Sequence, residues 1–316
     1  MTARDVRKAI RNLRPEAPPG PDGITPRFLR ELEEAVTPPL VEIFNKSLKT
    51  GEVPRDWRTA NVTPIYKGKG VKTDPGNYRP VSLTSVPGKI LETILKEKLM
   101  NHLNEEELIR PSQHGFMPGR SCTTNLVTYM DKVTKEVDEG RAVDIIYLDF
   151  AKAFNKVPKA RLMTKMKAKG IGGDVHRWIE NWLTGREQRV VVGGESSGWK
   201  PVTFGVPQGS VLGPSLFTVQ VDDLEVEVEK ENLGVLITKF ADDTKGMRVV
   251  ETEEDRDKLQ RAIDLLCKWA ENWGMSFNTK KCKVMHVGRK NKRYEYNMNG
   301  QRLETKIGRA SCRERV

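Results

Sequence analysis

Two adjacent carboxylates, Asp242 and Asp243, stand in the run Phe240-Ala241-Asp242-Asp243, between strand-like stretches Gly234 to Lys239 and Gly246 to Val250. That setting predicts a hairpin tip. Like charges at such spacing repel unless a cation lies between them. A hard divalent ion such as Mg²⁺ takes a few carboxylate oxygens and keeps water or substrate phosphate for its other positions. The plainer alternative is an Asp-rich turn whose side chains bond their own backbone. On these four residues alone the turn is the better reading.

A third carboxylate changes the balance. Val143-Asp144-Ile145-Ile146-Tyr147-Leu148 is a mostly apolar run that reads as a buried strand, and it delivers Asp149 at its C-terminal end. Two-metal phosphoryl transfer needs carboxylates from separate elements converging on ions roughly 4 Å apart. Asp149 with Asp242-Asp243 could supply that set. An Asp at a strand end is otherwise a common helix N-cap.

The elements that must hold these residues are legible in outline. Helical patterning covers the opening stretch (Val6, Ile10, Leu13) and residues 26–50, with Phe28, Leu29, Leu32 and Val36 on one face and an interruption at Pro38-Pro39. Val62 to Tyr66 reads as a strand ending in the loop Lys67-Gly68-Lys69-Gly70, and Pro87 to Leu103 as a helix striped by Ile90, Ile94, Leu95 and Leu99. Helices are expected over 158–168 and 174–184, followed by a hairpin of Gln188 to Val192 and Trp199 to Phe204 around Gly193-Gly194. Pro214 to Val228 reads as one helix, and Asp255 to Asn272 as another. This order of helices and hairpins predicts an α+β fold.

The net charge of +11 over 316 residues and a pI near 9.4 point to a polyanionic partner, nucleic acid first. The charge is uneven, acidic from Asp222 to Asp257 and basic from Lys280 to Arg293, although each run also fits a solvated face. Cys122, Cys267, Cys282 and Cys312 are scattered without ligand spacing to the four histidines, which argues against a zinc site or disulfide framework and for a reducing compartment. No apolar run approaches the ~20 residues of a membrane span. The N-terminus lacks a signal peptide's apolar core. An intracellular protein of cytoplasm or nucleus, with no membrane partner, is expected. Both ends read as cuts: the last decapeptide, residues 307–316, looks like one frame of a sequencing-library adaptor and reads as an assembly scar.

Six stretches together resemble the reverse transcriptase domain of LINE-type (non-LTR) retrotransposons of the jockey-like kind. They are Pro19-Gly20-Pro21-Asp22-Gly23-Ile24, Asn77-Tyr78-Arg79-Pro80-Val81-Ser82-Leu83 and Gln113-His114-Gly115-Phe116. The others are Tyr147-Leu148-Asp149-Phe150-Ala151-Lys152-Ala153-Phe154, Gly205-Val206-Pro207-Gln208-Gly209-Ser210 and Phe240-Ala241-Asp242-Asp243. The resemblance covers nearly all of residues 1–306 and implies a right-hand polymerase fold. Fingers would occupy about 1–140 and the palm about 141–290, with an incomplete thumb after them. It implies RNA-templated DNA synthesis with Mg²⁺, or Mn²⁺ in its place, on an RNA template and a DNA primer with deoxynucleoside triphosphates.

Roles follow from the same resemblance. Asp149, Asp242 and Asp243 match the metal-binding carboxylates, with the Phe150 carbonyl as a further ligand. Phe154 matches the bulky residue under the sugar that disfavours a 2′-hydroxyl; a core aromatic is the competing reading. Arg79 matches the residue that grips the triphosphate, with Lys67 as a second cation or a solvated loop lysine. Gln208 matches a residue lining the nucleotide and template pocket. Lys281 matches a lysine that protonates departing pyrophosphate, although Lys280 and Lys283 beside it also fit a basic surface strand.

Two departures from the family pattern stand out: Asn155 where Asp is usual, and Glu16-Ala17-Pro18 where lysine often precedes the Pro-Gly-Pro-Asp-Gly stretch. Neither removes a catalytic group, but such drift is what an old, decaying element copy would accumulate. The competing reading is therefore an inactive, truncated retrotransposon relic that at most binds nucleic acid. An RNA-templated RNA polymerase is weaker, given Phe154 and the Pro-Gln-Gly stretch. No nuclease activity is expected of this chain.

Overall fold

The computed structural model describes residues 1–306. The adaptor-like decapeptide lies outside the described residues. Helices and strands mix along the chain, which falls into two compact units interleaved in sequence. One comprises residues 1–108 with 157–219, the other residues 109–156 with 220 onward. Among the described residues no helix is long and apolar enough to cross a membrane.

In the first unit a capping box between Thr2 and Asp5 opens the helix Ala3–Arg11, whose buried Val6, Ala9 and Ile10 face neighbouring helices Glu33–Thr50 and Val86–Glu105. Val86–Glu105 buries the expected Ile90, Ile94, Leu95 and Leu99. The helix expected over 26–50 is instead two, Pro26–Glu31 and Glu33–Thr50, with the break at Leu32. Pro38 and Pro39 lie inside the second helix. They lie past the four N-terminal N–H groups that have no partner in any helix, so each proline removes one ladder bond, to the Glu34 and Ala35 carbonyls. The Thr37 hydroxyl meanwhile donates to the Glu33 carbonyl at 2.6 Å. The break also ends the apolar stripe: Phe28 and Leu32 are exposed while Leu29 is buried.

The sheet of this unit starts from the strand Thr59–Tyr66, antiparallel to Tyr78–Thr84 and parallel to Arg186–Val192. Gly193 and Gly194, at φ 60° and 87°, form the two-residue turn after Val192, a conformation that suits glycine at both positions. Lys200–Val202 then pairs back on Arg186–Val192.

The second unit carries a five-stranded sheet in the order Glu304–Lys306, Lys283–Val287, Val143–Asp149, Asp243–Val249, Leu236–Phe240. The central strand is the apolar run that ends in Asp149, and it is buried because strands flank it on both sides. On one face Val143, Ile145, Met247 and Met285 pack under Tyr129 and Val133 of the helix Cys122–Asp138. On the other, Phe150 lies against Phe277 and against Trp269 of the helix Glu253–Asn272. That opposite face also holds a polar network. Buried Asp144 accepts from Tyr296 Oη at 2.6 Å and Asn291 Nδ2 at 2.8 Å, with His286 Nδ1 at 2.6 Å.

Two expectations are corrected in this unit. The second strand of the Asp-Asp hairpin begins at Asp243, not near Gly246, because Phe240 and Asp243 pair directly across a two-residue turn. The single helix expected from Pro214 to Val228 is divided into Gly213–Val221 and Val226–Lys230. The buried ammonium of Lys239 takes the carbonyls of Val221 (3.2 Å) and Asp222 (2.7 Å) where the helix stops.

The helix Glu253–Asn272 starts from a capping box in which Asp255 accepts from the Thr252 and Glu251 amides and from Arg248 Nη2 at 2.8 Å. Burial pushes the Asp255 carboxyl up, but Arg248, Thr252 and the two amides outweigh it and hold the group at about 2, below its usual 3.8. A depressed carboxylate contributes stability above its unfolded pKa and loses it as pH falls through the folded one. The unfolding free energy is therefore expected to drop between about pH 4 and about pH 2. Asp255→Asn is expected to flatten that part of a denaturant titration series. An unchanged acid limb in the variant would contradict the assignment.

Candidate active site

Hydrogen bonding fixes how Asp149 and Asp243 face one another. Asp149 pairs with Asp243 across the two central strands. The Asp149 carbonyl accepts from the Asn278 amide at 2.7 Å, on the side away from Asp243. Asp243 for its part closes the hairpin with Phe240. Neither backbone is directed at the other, so the two form a non-hydrogen-bonded pair, the kind whose side chains stand closest. Like charges directly opposite in a sheet destabilise it. Such a pair is tolerated where a cation bridges it.

Pleating carries the argument along the strands. Alternate residues share a face, so the apolar rows Val143-Val249-Val287 and Ile145-Met247-Met285 lead to a row of Tyr147, Lys245 and Lys283, and then to Asp149 and Asp243. The carboxylates thus lie on the extension of the core face, past the last apolar row. Asp242 occupies the turn beside them, after Ala241 at φ 57°.

Other groups gather at the same strand ends. The bonds that bridge residues 149–151 to 276–278 run from the Ala151 amide to the Ser276 carbonyl and from the Asn278 amide to the Asp149 carbonyl. The peptide groups of Phe150 therefore point to the opposite side, where Asp243 begins its strand. Lys281 Nζ lies 3.5 Å from Asp149 Oδ1 with its side chain 60% exposed. The Cys282 thiol, pushed up to about 11 by burial, is an inert neighbour that approaches the Asp149 amide at 3.4 Å. Phe154 is half-buried and meets Phe116 edge to face, with ring centroids 6.4 Å apart. Asn155, the departure noted in the sequence, is exposed.

Asp149, Asp242, Asp243, Lys281, Phe150 and Phe154 all belong to the second unit. Among the described residues no three His, Cys, Asp or Glu side chains close into a metal cage. A small set of carboxylates and one carbonyl suits Mg²⁺ all the same, since that ion keeps several waters and is commonly bound through one or two carboxylates plus substrate phosphates.

Lys67, Arg79 and Gln208 belong to the first unit. Arg79 pairs with Ile65 across the hairpin, and the Lys67 amide continues the ladder to the Asn77 carbonyl. The pleat therefore directs Lys67 and Arg79 to one side. Both are exposed, and Lys67 Nζ donates to the Gly76 carbonyl at 2.9 Å. The Gln208 carbonyl accepts from the Ser82 amide at 2.8 Å, and Gly209 (φ 111°) lies so close that a Cβ would stand 2.6 Å from the Ser82 oxygen. The loop is also held from behind. Glu92 Oε2 accepts from the amides of Val211 (2.7 Å) and Leu212 (3.2 Å). Burial raises the Glu92 carboxyl, opposed by those amides and by buried Arg186, itself lowered to about 10.

Sequence reasoning passed over Glu92 and Lys239. Glu92 looks like an ordinary polar helix position. Lys239 carried a signal, a lone cation in Leu236-Ile237-Thr238-Lys239-Phe240, downstream of Asp222 and Glu225.

The family model for reverse transcriptase (RNA-dependent DNA polymerase) matches residues 67–304. The chain is 31% identical over 291 residues to the RNA-directed DNA polymerase from mobile element jockey of Drosophila melanogaster, covering 89% of this chain and 31% of that protein. The jockey polymerase of Drosophila funebris is 30% identical over 289 residues, with the same coverage. The Pol polyprotein of the type-2 retrotransposable element R2DM of Drosophila melanogaster is 31% identical over 296 residues, 89% of this chain and 26% of that protein. The chain thus spans about a third or less of the length of these curated relatives.

Proposed function

The chain belongs to the reverse transcriptase (RNA-dependent DNA polymerase) family, and on that premise we propose that it is the polymerising part of a LINE-type mobile element, copying RNA into DNA from a primer end. The observation that carries this reading is Asp149 facing Asp243 at adjoining strand ends, with Asp242 in the turn beside them. The five-stranded sheet serves as the palm of a right-hand polymerase, the hairpin of Thr59–Tyr66 with Tyr78–Thr84 as part of the fingers, and the segment after about residue 290 as the start of a thumb.

Asp149, Asp242, Asp243 and the Phe150 carbonyl hold divalent metal, Mg²⁺ or Mn²⁺ in its place. When bound, the ions lower the pKa of the primer hydroxyl and neutralise charge on the leaving pyrophosphate. Arg79 presents its planar fork to triphosphate oxygens and Lys67 adds a point charge. Gln208, on a loop pinned by Ser82 and Glu92, lines the pocket for nucleotide and template. Phe154 lies under the sugar and rejects a 2′-hydroxyl. Lys281, within reach of Asp149, delivers a proton to departing pyrophosphate. The net charge of +11 suits the template and primer backbones.

Primer extension tests the reading. The folded chain is expected to extend a DNA primer on an RNA template with deoxynucleotides and Mg²⁺, and to stop when EDTA is added. No extension would leave the relic reading, a nucleic-acid-binding remnant. Ribonucleotides incorporated as efficiently as deoxynucleotides would overturn the role of Phe154.

A further inference from the structure

Gln113-His114-Gly115-Phe116 marks the family resemblance, yet none of the roles above uses Gln113. Its side chain is wholly buried. The backbone on either side of it runs parallel to Leu236–Phe240: the Lys239 amide donates to the Ser112 carbonyl at 2.8 Å, and the His114 amide to the Lys239 carbonyl at 2.8 Å. The Gln113 side-chain oxygen then accepts two amides, Gly115 at 2.8 Å and Ala241 at 3.2 Å. Two converging N–H donors identify that atom as the oxygen. The Nε2 atom finds no hydrogen-bond partner among the described residues.

The Ala241 amide belongs to the turn that carries Asp242. Ala241 is in the left-handed region at φ 57°, which a residue with a Cβ enters only when its surroundings hold it there. The approach is close enough that a Cβ on Gly115 would stand 2.2 Å from the Ala241 nitrogen. The third residue of the Gln-His-Gly stretch therefore has to be glycine for the second contact to form.

We propose that Gln113 is a positioning residue for the metal carboxylates: its side-chain oxygen, by holding the Ala241 amide, keeps the left-handed turn that aims Asp242, and so sets the affinity for the divalent ion. This rests on the metal reading of the site. Outer-shell partners of metal ligands commonly change affinity by about 10–100-fold when removed.

The test is Mn²⁺ binding by the purified chain, followed by the electron-paramagnetic signal of free Mn²⁺, with thermal unfolding in EDTA recorded in parallel. Asp242→Asn tests the metal reading. Gln113→Met keeps the length but removes the oxygen, and Gln113→Glu keeps an acceptor. Gln113→Met is expected to weaken Mn²⁺ binding by about tenfold or more, whereas Gln113→Glu binds close to the unmutated level. Should Gln113→Met fail to fold, Gln113→Asn, whose oxygen is drawn back by one methylene, stands in with the same expected loss. Asp242-dependent binding that Gln113→Met leaves intact would overturn the proposal while sparing the metal reading, and so would weakening that Gln113→Glu does not reverse. Binding that is absent, or indifferent to Asp242→Asn, would sink both.

Discussion

Replacing Asp242 by alanine is expected to lower primer extension on an RNA template by about 10³-fold or more while the chain stays folded. The magnitude follows from what the carboxylate does. Metal-ion stabilisation of transition-state charge contributes several kcal/mol, and each ~1.4 kcal/mol is a factor of ten in rate. The fold should tolerate the change because Asp242 is a half-exposed turn residue, and the packed rows of the sheet lie further along the strands. Removing one of the neighbouring negative charges also relieves repulsion when no metal is bound. A second readout separates catalysis from folding. A ligand that binds only the folded state at ~100 times its dissociation constant stabilises it by about 2.7 kcal/mol. The unmutated chain should therefore melt higher with Mg²⁺ than with EDTA, and Asp242→Ala should lose most of that difference. Extension unaffected by the substitution would refute the site assignment outright.

Local pattern made part of this site legible. An apolar run ending in Asp149 and an Asp pair between two strand-like stretches are short-range signals, and the structure puts both at strand ends. What the sequence could not show is register. Asp149 and Asp243 are far apart in the chain, and only the pairing of the two strands brings them opposite each other. The resemblance named both residues without that geometry.

The misplaced boundaries have physical causes of the same non-local sort. Proline marked 38–39 as a helix break, but the helix Glu33–Thr50 runs through both, and the chain turns instead at Leu32. The helix expected across Pro214 to Val228 is cut by a lysine on a distant strand. Glu92, Asp144 and Lys239 escaped notice for one reason: each is a buried charged or polar group whose partners lie elsewhere in the chain. Hydrophobic periodicity carries no information about such pairs.

Lys239→Met is expected to cost the second unit about 3–5 kcal/mol, the usual result of removing one partner from a buried ion pair. Lys239 is fully buried, and its ammonium donates to Glu225 as well as to the Val221 and Asp222 carbonyls. Burial lowers its pKa, and Glu225 and Asp222 only partly restore it. Methionine fills a similar volume but donates nothing, so two carbonyls at a helix end and a buried carboxylate lose their donor together. Arg110 Nε, 3.1 Å from Glu225 Oε1, and the Ser112 hydroxyl would still hold that carboxylate, which keeps the loss from exceeding this range. The effect should be visible as a lower urea midpoint. The double variant Lys239→Met with Glu225→Gln removes the charge that has lost one of its two cations and is expected to recover part of the loss, less what Arg110 loses with its partner. Strict additivity of the two single variants would mean that the pair is not coupled. In that case Lys239 would stabilise the strand only through the helix-end carbonyls.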